Sequence, residues 1–302
     1  EAFDPLRRTF SKLTDPWKSN SDKEASPGKV IENIRNWVNN WEESFDGEII
    51  IPLSSGLDSR LLLWAIKDKS RVRTFTYGLN DNKNNSIDVL AAKSLSSRMG
   101  VRWEQIKVTD YHSKERQWVE LYDVAVHAHG MYQIAFYEQI KNKVSHNARV
   151  LSGIVGDLWA GSVSVPTISE PSQLVNLGLS RGMNAPQLLG LSTSEEKNKL
   201  NQIAALQHFF IENEDDLKCP KFRVLTLIRT KMQLLRYLTE IPTSLGLKTE
   251  SPFLSQEIGF EMLSISEEDR LDRTWQKKFF ESENLNDQRL RFASTKNLLN
   301  IS

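Results

Sequence analysis

Three consecutive isoleucines, Ile49 to Ile51, run directly into "PLSSGLDS", and that loop runs into the apolar stretch Leu61 to Ile66. This junction constrains the fold more than any other feature of the chain. A short, unbroken β-branched run has no polar side to offer water. It suits a strand buried on both faces, as in a parallel sheet. Parallel strands need crossovers, and the run after the loop supplies one as a helix, with Asp58 or Ser59 near its first turn. The pattern then repeats. "RVRTFTYGL" predicts a second strand, "SIDVLAAKSLSSRMG" a helix ending at Gly100, and "VRWEQIKV" a third strand. One long helical stretch is expected from about Lys114 to Lys143, and "ARVLSGIVGD" predicts a fourth strand with its loop. Strands alternating with helices indicate an α/β domain. After about Ser162 the strand signal fades. Residues 166–200 read as a long irregular insertion, and the remainder reads as helical. Ahead of the isoleucines, Val30, Ile34, Trp37, Val38 and Trp41 share one helical face. The expected division is a helical lead-in over 1–47 and one main domain over 48–302.

The 302 residues are 39% hydrophobic and 26% charged, an ordinary balance for a soluble globular chain. Lys and Arg together number 39, and so do Asp and Glu. A zero net charge argues against nucleic-acid binding through a broad basic face. The one cysteine, Cys219, excludes an intrachain disulfide and a cysteine-based metal site, so a reducing, cytoplasmic setting is expected. There is no basic-then-apolar leader and no apolar run near ~18 residues, so neither a signal peptide nor a membrane span is expected. The opening residue is Glu1, which fits a processed or trimmed piece of something longer.

A loop at the carboxyl end of a parallel strand is where α/β proteins bind ligands. The helix that follows offers unpaired N–H groups and a partial positive charge. Ser54, Ser55 and Gly56 are small enough to let phosphate oxygens reach the backbone, and the hydroxyls of Ser54 and Ser59 add donors. Asp58 would repel a bare phosphate. It makes sense beside Mg²⁺, which takes one or two carboxylates plus phosphate oxygens. The loop therefore asks for a Mg²⁺-bound di- or triphosphate. The competing reading is a plain polar turn capped by Ser or Asp. The common GxxxxGK[ST] phosphate loop is excluded as written.

"PLSSGLDS" resembles the S-G-G-x-D-S pyrophosphate loop of ATP pyrophosphatases, with Ser55 in place of the first glycine. Further segments resemble the synthetase domain of asparagine synthetases, in the same order. They are "TFTYGL", "SIDVLAAKSLSSRMGVRWEQI", "ELYDVAV", "VLSGIVGDLWAG" and "GLKTESPFLS". The resemblance runs from about Glu48 to Lys296. It implies an α/β fold with a parallel sheet of ATP pyrophosphatase (adenine nucleotide α-hydrolase-like) type and a helical C-terminal portion.

The resemblance also implies an ATP site. Leu53, Ser54, Ser55, Gly56, Asp58 and Ser59 would hold the pyrophosphate end. Tyr77 and Gly78 would lie along the adenine, and Ser152 and Gly153 along the ribose or α-phosphate. Asp58 and Asp157 would be the Mg²⁺ carboxylates. Lys296 would be the catalytic cation, reaching back to the α-phosphate from a C-terminal loop; "WQKKFFESENLNDQRLRFASTK" follows the family pattern loosely there, with Arg289 and Arg291 as competitors. The implied chemistry is adenylation of a substrate carboxylate, with loss of pyrophosphate, then amide formation with an amine. The expected partners are a small-molecule or peptide carboxylate and an amine, with room for a separate glutaminase or accessory subunit.

The departures shape the expectation. The two acids of the family's G-E-G-x-D-E loop are Ile154 and Leu158 here, and only Asp157 remains. Lys248 stands where the family has Glu, Glu250 where it has Arg, and Ser255 where it has Asp. "VRWEQI" lacks the family's histidine, and no cysteine-led glutaminase domain is present in this chain. The expectation is therefore an amine supplied by the substrate itself, as in the similar β-lactam synthetases and lasso-peptide cyclases. The alternative is a non-catalytic member that binds a nucleotide or a partner protein.

Other candidates have plainer readings. His127 and His129 suit a structural or substrate-lining role better than metal ligation. Glu120 and Asp123 read equally as surface acids or cavity acids. Trp37, Trp41, Trp64 and Trp118 fall in apolar stripes and read as core, and Lys277 and Lys278 as solvated. Trp159 follows the second loop, where it would serve as core or as a wall of the acyl pocket.

Overall fold

The computed structural model describes residues 2–4, 9–11, 15–20, 23–78, 86–122, 128–174 and 206–285. Residues 2–4 and 9–11 pair as an antiparallel ribbon, β1 (Ala2–Asp4) and β2 (Thr9–Ser11). The N-terminal stretch thus holds a small ribbon as well as the expected helix, α1 (Pro27–Glu43).

The centre is a five-stranded parallel sheet. Its strands are β3 (Ile49–Pro52), β4 (Val72–Gly78), β5 (Arg102–Lys107), β6 (Arg149–Leu151) and β7 (Lys248–Glu250), in the order β5-β4-β3-β6-β7. Each neighbouring pair is parallel. Ile49, Ile50 and Ile51 are fully buried. Ile49 and Ile51 enter the core on one face of the sheet, and Ile50 enters the core on the other. Each buried isoleucine contributes about 2 kcal/mol, which is why the run sits at the sheet's centre. The chain leaves β3 toward β4 and β5 on one side and later returns to β6 on the other. That reversal opens a crevice between the carboxyl ends of β3 and β6, the position where open α/β sheets bind ligands.

Helices cover both faces. On the first lie α1, α2 (Leu57–Ala65) and, following β6, the short α6 (Gly156–Ala160). On the second lie α4 (Glu115–Tyr122) and α5 (Tyr132–Lys141). The crossover from β4 to β5 carries α3 (Ile87–Arg98), followed by Gly100 at φ +67°, the left-handed geometry that ends helices. The C-terminal part supplies α7 (Pro220–Leu235), α8 (Tyr237–Ser244), α9 (Gln256–Ser264), α10 (Glu267–Arg270) and α11 (Thr274–Ser282). Glu42 of α1 is buried but satisfied: its oxygens accept from the amides of Lys67 (2.8 Å) and Asp68 (2.7 Å), tying α1 to the end of α2.

Two sequence expectations are corrected. The stretch from Lys114 to Lys143 is not one helix: α4 and α5 are separate, with a 3-10 turn over Ala128–Met131. Gly130 lies so close to Tyr237 and Trp118 that a Cβ would sit 2.5 Å from the Tyr237 ring, and a continuous solvated helix has no such approach. The strands also do not stop after Ser162, because β7 pairs with β6 in parallel. Its residues Lys248, Thr249 and Glu250 are polar because this is an edge strand. Of the expected irregular insertion, 171–174 form a 3-10 turn and 175–205 lie outside the described residues.

Candidate functional site

Because the sheet is parallel, its carboxyl ends gather residues that are far apart in sequence. Leu53 follows β3 and is locked in place. Its amide donates to the Phe75 carbonyl (2.8 Å), and its own carbonyl accepts from the Thr76 hydroxyl (2.7 Å). The loop then turns into α2, whose N-cap is Gly56 with no side-chain cap. The simple capped turn is therefore not what forms. The Ser54 hydroxyl accepts from the Gly56 amide (3.1 Å) and leaves the first helical amides without a side-chain acceptor. The Ser55 amide (3.1 Å) and hydroxyl both donate to the Asp88 carboxylate in the first turn of α3. Ser59 is buried, and its hydroxyl has no partner among the described residues.

The β6 loop meets this one from the other side of the crevice. Ser152 and Gly153 leave the strand, and Val155 adopts φ +54° before α6 begins. A β-branched residue in the left-handed region is strained, and such strain concentrates at functional sites. Gly153 and Gly156 face Asp58. A Cβ on Gly153 would lie 3.2 Å from the Ser59 nitrogen, and one on Gly156 would lie 2.9 Å from an Asp58 carboxyl oxygen. A side chain at Gly156 would clash and one at Gly153 would crowd the loop, so the glycines let Asp157 and Asp58 share one crevice.

Asp58 is buried, and its carboxyl is pushed up to about 7. Desolvation is the main cause and the charge of Asp157 the second. The Gln276 amide donates to Asp58 Oδ1 (3.1 Å), and Arg273 acts on it through its charge; both oppose the rise without cancelling it. Asp157 is half-buried and accepts from the Ser162 hydroxyl (3.2 Å). Two close carboxylates short of positive charge, with an unpartnered buried hydroxyl beside them, fit a hard divalent cation and phosphate oxygens. Among the described residues, no group of three or more His, Cys, Asp or Glu forms a metal cluster, so a cation here would complete its shell with ligand oxygens and water.

Tyr77 and Gly78 end β4 on the same edge. The Tyr77 ring lies 4.6 Å from Tyr132 and 5.9 Å from Phe136, with part of it open to solvent. The Gln105 side chain comes so near Gly78 that a Cβ would sit 2.2 Å from its amide nitrogen.

The other candidates separate. Ile154 and Leu158 are buried in the core. Trp159 is a core residue: its indole N–H donates to the Phe253 carbonyl (2.9 Å), and its ring packs on Gly259. Trp41 and Trp118 are buried, and Trp37 and Trp64 are partly buried against the core. Glu120 pairs with Arg116 on the surface (2.9 Å). Lys277 pairs with Asp272 (2.5 Å) and Lys278 with Asp269 (3.1 Å). Lys248 and Glu250 pair with each other (3.1 Å), and Glu250 also accepts from Trp41 (2.7 Å). His127, Asp123, Arg289, Arg291 and Lys296 lie outside the described residues, as does the side chain of His129. Three site residues were missed in the sequence. Asp88 lies in a quoted segment, but its partner Ser55 was invisible there. No local signal marks Gln276 or Arg273, because each reaches Asp58 only through the fold.

No helix among the described residues is long and apolar enough to cross a membrane. No curated protein matches the chain. Among solved structures, glutamine-dependent NAD+ synthetase from Acinetobacter baumannii with ADP is 18% identical, with TM-score 0.31 over 54% of this chain and 31% of its own. The chain therefore spans under a third of that enzyme. NH3-dependent NAD synthetase from Campylobacter jejuni is 11% identical (TM-score 0.35, covering 70% and 96%). NMN synthetase from Francisella tularensis is 13% identical (TM-score 0.33, covering 65% and 97%). The family model for asparagine synthase matches residues 44–280, which include both loops, both carboxylates and Gln276. The chain belongs to the asparagine synthase family, a family of ATP-using, amide-forming synthetases with an ATP pyrophosphatase-type parallel sheet.

Proposed function

We propose that this protein uses ATP to activate a substrate carboxylate and passes the acyl group to an amine, forming an amide. The observation that carries this reading is the meeting of the β3 and β6 loops at Asp58, Gly156 and Asp157. In the first step a carboxylate oxygen bonds the α-phosphorus and the bond to pyrophosphate breaks. In the second the amine bonds the acyl carbon, AMP leaves and the nitrogen loses a proton. Mg²⁺, when bound, supplies charge to the leaving pyrophosphate.

The chain's own residues would do the rest. Asp58 and Asp157 hold the cation. The open N-terminus of α2 and the Ser59 hydroxyl hold phosphate oxygens. The Ser55 donors first have to exchange Asp88 for phosphate, which makes Asp88 a stand-in anion. Tyr77 offers a partly exposed ring for the base, and Ser152 and Gly153 flank the ribose or α-phosphate. Lys296 is the proposed cation at the α-phosphate. The carboxylate and amine are small-molecule or peptide groups, with a separate glutaminase or accessory subunit as an alternative nitrogen source.

A second reading, nucleotide or partner binding without turnover, is favoured by one observation. Ile154 and Leu158 are packed in the core, where the family pattern has acids. ATP–pyrophosphate exchange over a panel of carboxylates, with ATP binding measured alongside, separates the two. Exchange with any acid ends the second reading. ATP binding with no exchange across the panel ends the first.

A further inference from the structure

A second cavity lies beyond α6, away from the two loops. It has a volume of about 180 Å³ and is lined by Gly161, Val165, Arg223, Val224, Glu267 and Arg270 among others. Two of these are arginines buried along most of their length, Arg223 at 6% exposed and Arg270 at 5%, with only the ends of their guanidinium groups left to face the cavity. Arginine is rarely buried to this degree unless its charge is paired. Arg223 spends its Nε on the Val165 carbonyl (3.2 Å) and its Nη1 on the carbonyls of Leu217 and Lys218 (2.8 Å each). Arg270 spends only its Nε, on the Trp159 carbonyl (3.3 Å). Among the described residues, neither terminal nitrogen of Arg270, nor Nη2 of Arg223, has a hydrogen-bond partner or a salt bridge. Burial holds the Arg270 guanidinium down at about 10. The exposed Glu267 offsets only part of that cost.

We propose that this cavity is a binding site for a small carboxylate with a short apolar body. A carboxylate matches the planar N–H fork of a guanidinium and would restore charge balance to both arginines. Val165 and Val224 supply the apolar wall. At about 180 Å³ the cavity is large enough for a branched short-chain acid. Gly161 sits at φ +102°, and a Cβ there would fall 2.0 Å from the Arg270 carbonyl oxygen, so only glycine fits where the two walls meet. The cavity begins one residue after α6, whose first turn carries Asp157. Its lining shares no residue with the proposed reaction site and does not depend on it.

The test uses the full chain without nucleotide or Mg²⁺, so its outcome is separate from that of ATP–pyrophosphate exchange. Carboxyl-labelled isobutyrate is titrated by NMR, with neutral isobutyramide as the shape control. The acid is expected to bind saturably and the amide not at all. Arg270→Gln should weaken isobutyrate at least about tenfold, the loss that follows removal of a charge-assisted hydrogen-bonded pair. Glu267→Gln removes an exposed like charge and should tighten it. If Arg270→Gln does not fold, the acid–amide contrast and Glu267→Gln decide. Equal binding of acid and amide, no binding by the unaltered chain, or unchanged affinity in both variants overturns the proposal.

Discussion

Gln276 Nε2 donates to Asp58 Oδ1 across 3.1 Å, joining the last described helix to the first turn of α2. Gln276 is fully buried, and its own Oε1 has no partner among the described residues. Hydrogen bonds from Gln276 and from Asp58's own backbone amide hold this buried carboxyl, and several consequences can be measured.

Asp58→Asn should abolish Mg²⁺-dependent turnover and leave the fold intact, because it removes the charge and keeps the shape. Asp157→Asn should behave alike. The double variant should be little worse than either single one, since both act on one ion. Steady-state rates with Mg²⁺ varied check this. A wild-type rate for Asp58→Asn ends the metal role.

The raised Asp58 carboxyl has a signed effect on the ligand-free protein. Between the ordinary Asp range near 3.8 and its folded value of about 7, the native state keeps a proton that the unfolded chain has lost. Stability therefore falls as pH rises through that window and levels off above it. Asp157, Arg273 and Gln276 face the group and set its folded value. Asp58→Asn should flatten this slope and be the more stable form above neutrality, by a few kcal/mol at most. Thermal melts from pH 4 to 8 read it, and parallel slopes for both proteins would refute it.

Gly156→Ala should be more harmful than an alanine on a helix usually is. Its Cβ would come within 2.8 Å of Asp58 Cγ and 2.9 Å of the Phe253 ring, and both neighbours are buried. We expect a loss of about 1–3 kcal/mol in stability, as for overpacked cores, and a larger loss of activity because Asp58 shifts. Denaturant melts and rates at saturating ATP separate the two effects.

Gln276→Leu removes the donor to Asp58 and the orphaned acceptor together, so stability should change by about 1 kcal/mol or less. With one stabilising bond gone, Asp58 should hold its proton to higher pH, and the acid limb of the rate profile should move up. Gln276→Glu places a second buried acid against Asp58 and should destabilise strongly at neutral pH. A rate profile unmoved by Gln276→Leu would show that the bond is structural only.

Lys296→Ala should lower the maximal rate by orders of magnitude and barely change ATP affinity, since its charge is needed only as charge builds in the transition state. Lys277→Ala and Lys278→Ala should be near silent, because each lysine already pairs with a neighbouring Asp. Full activity of Lys296→Ala alongside loss on substituting Arg289 or Arg291 would move the role to that arginine.

Local residue pattern is enough to set the centre of the sheet and the chemistry of its first loop. Ile49, Ile50 and Ile51 can be satisfied only by burial on both faces, and "SSGLDS" leaves backbone bare at a strand end. The order of the sheet's strands from β3 to β6 follows from local apolar patterns of the same kind, whereas the β1–β2 ribbon and the break between α4 and α5 do not. Long-range packing sets the rest. Lys248, Thr249 and Glu250 have no strand signature, and they form β7 because β6 offers an unpaired edge. Asp58 and Asp157 can approach because Gly153 and Gly156 keep the space between the loops clear. The Asp58 carboxyl titrates near 7 because burial and Asp157 together outweigh Gln276 and Arg273. Gln276 lies between Trp275 and the lysine pair in "TWQKKFF", where nothing local marks it as inward-facing. Only the packing of α11 against α2 turns it inward, where one hydrogen bond to a buried acid gives it a role that no spacing encodes.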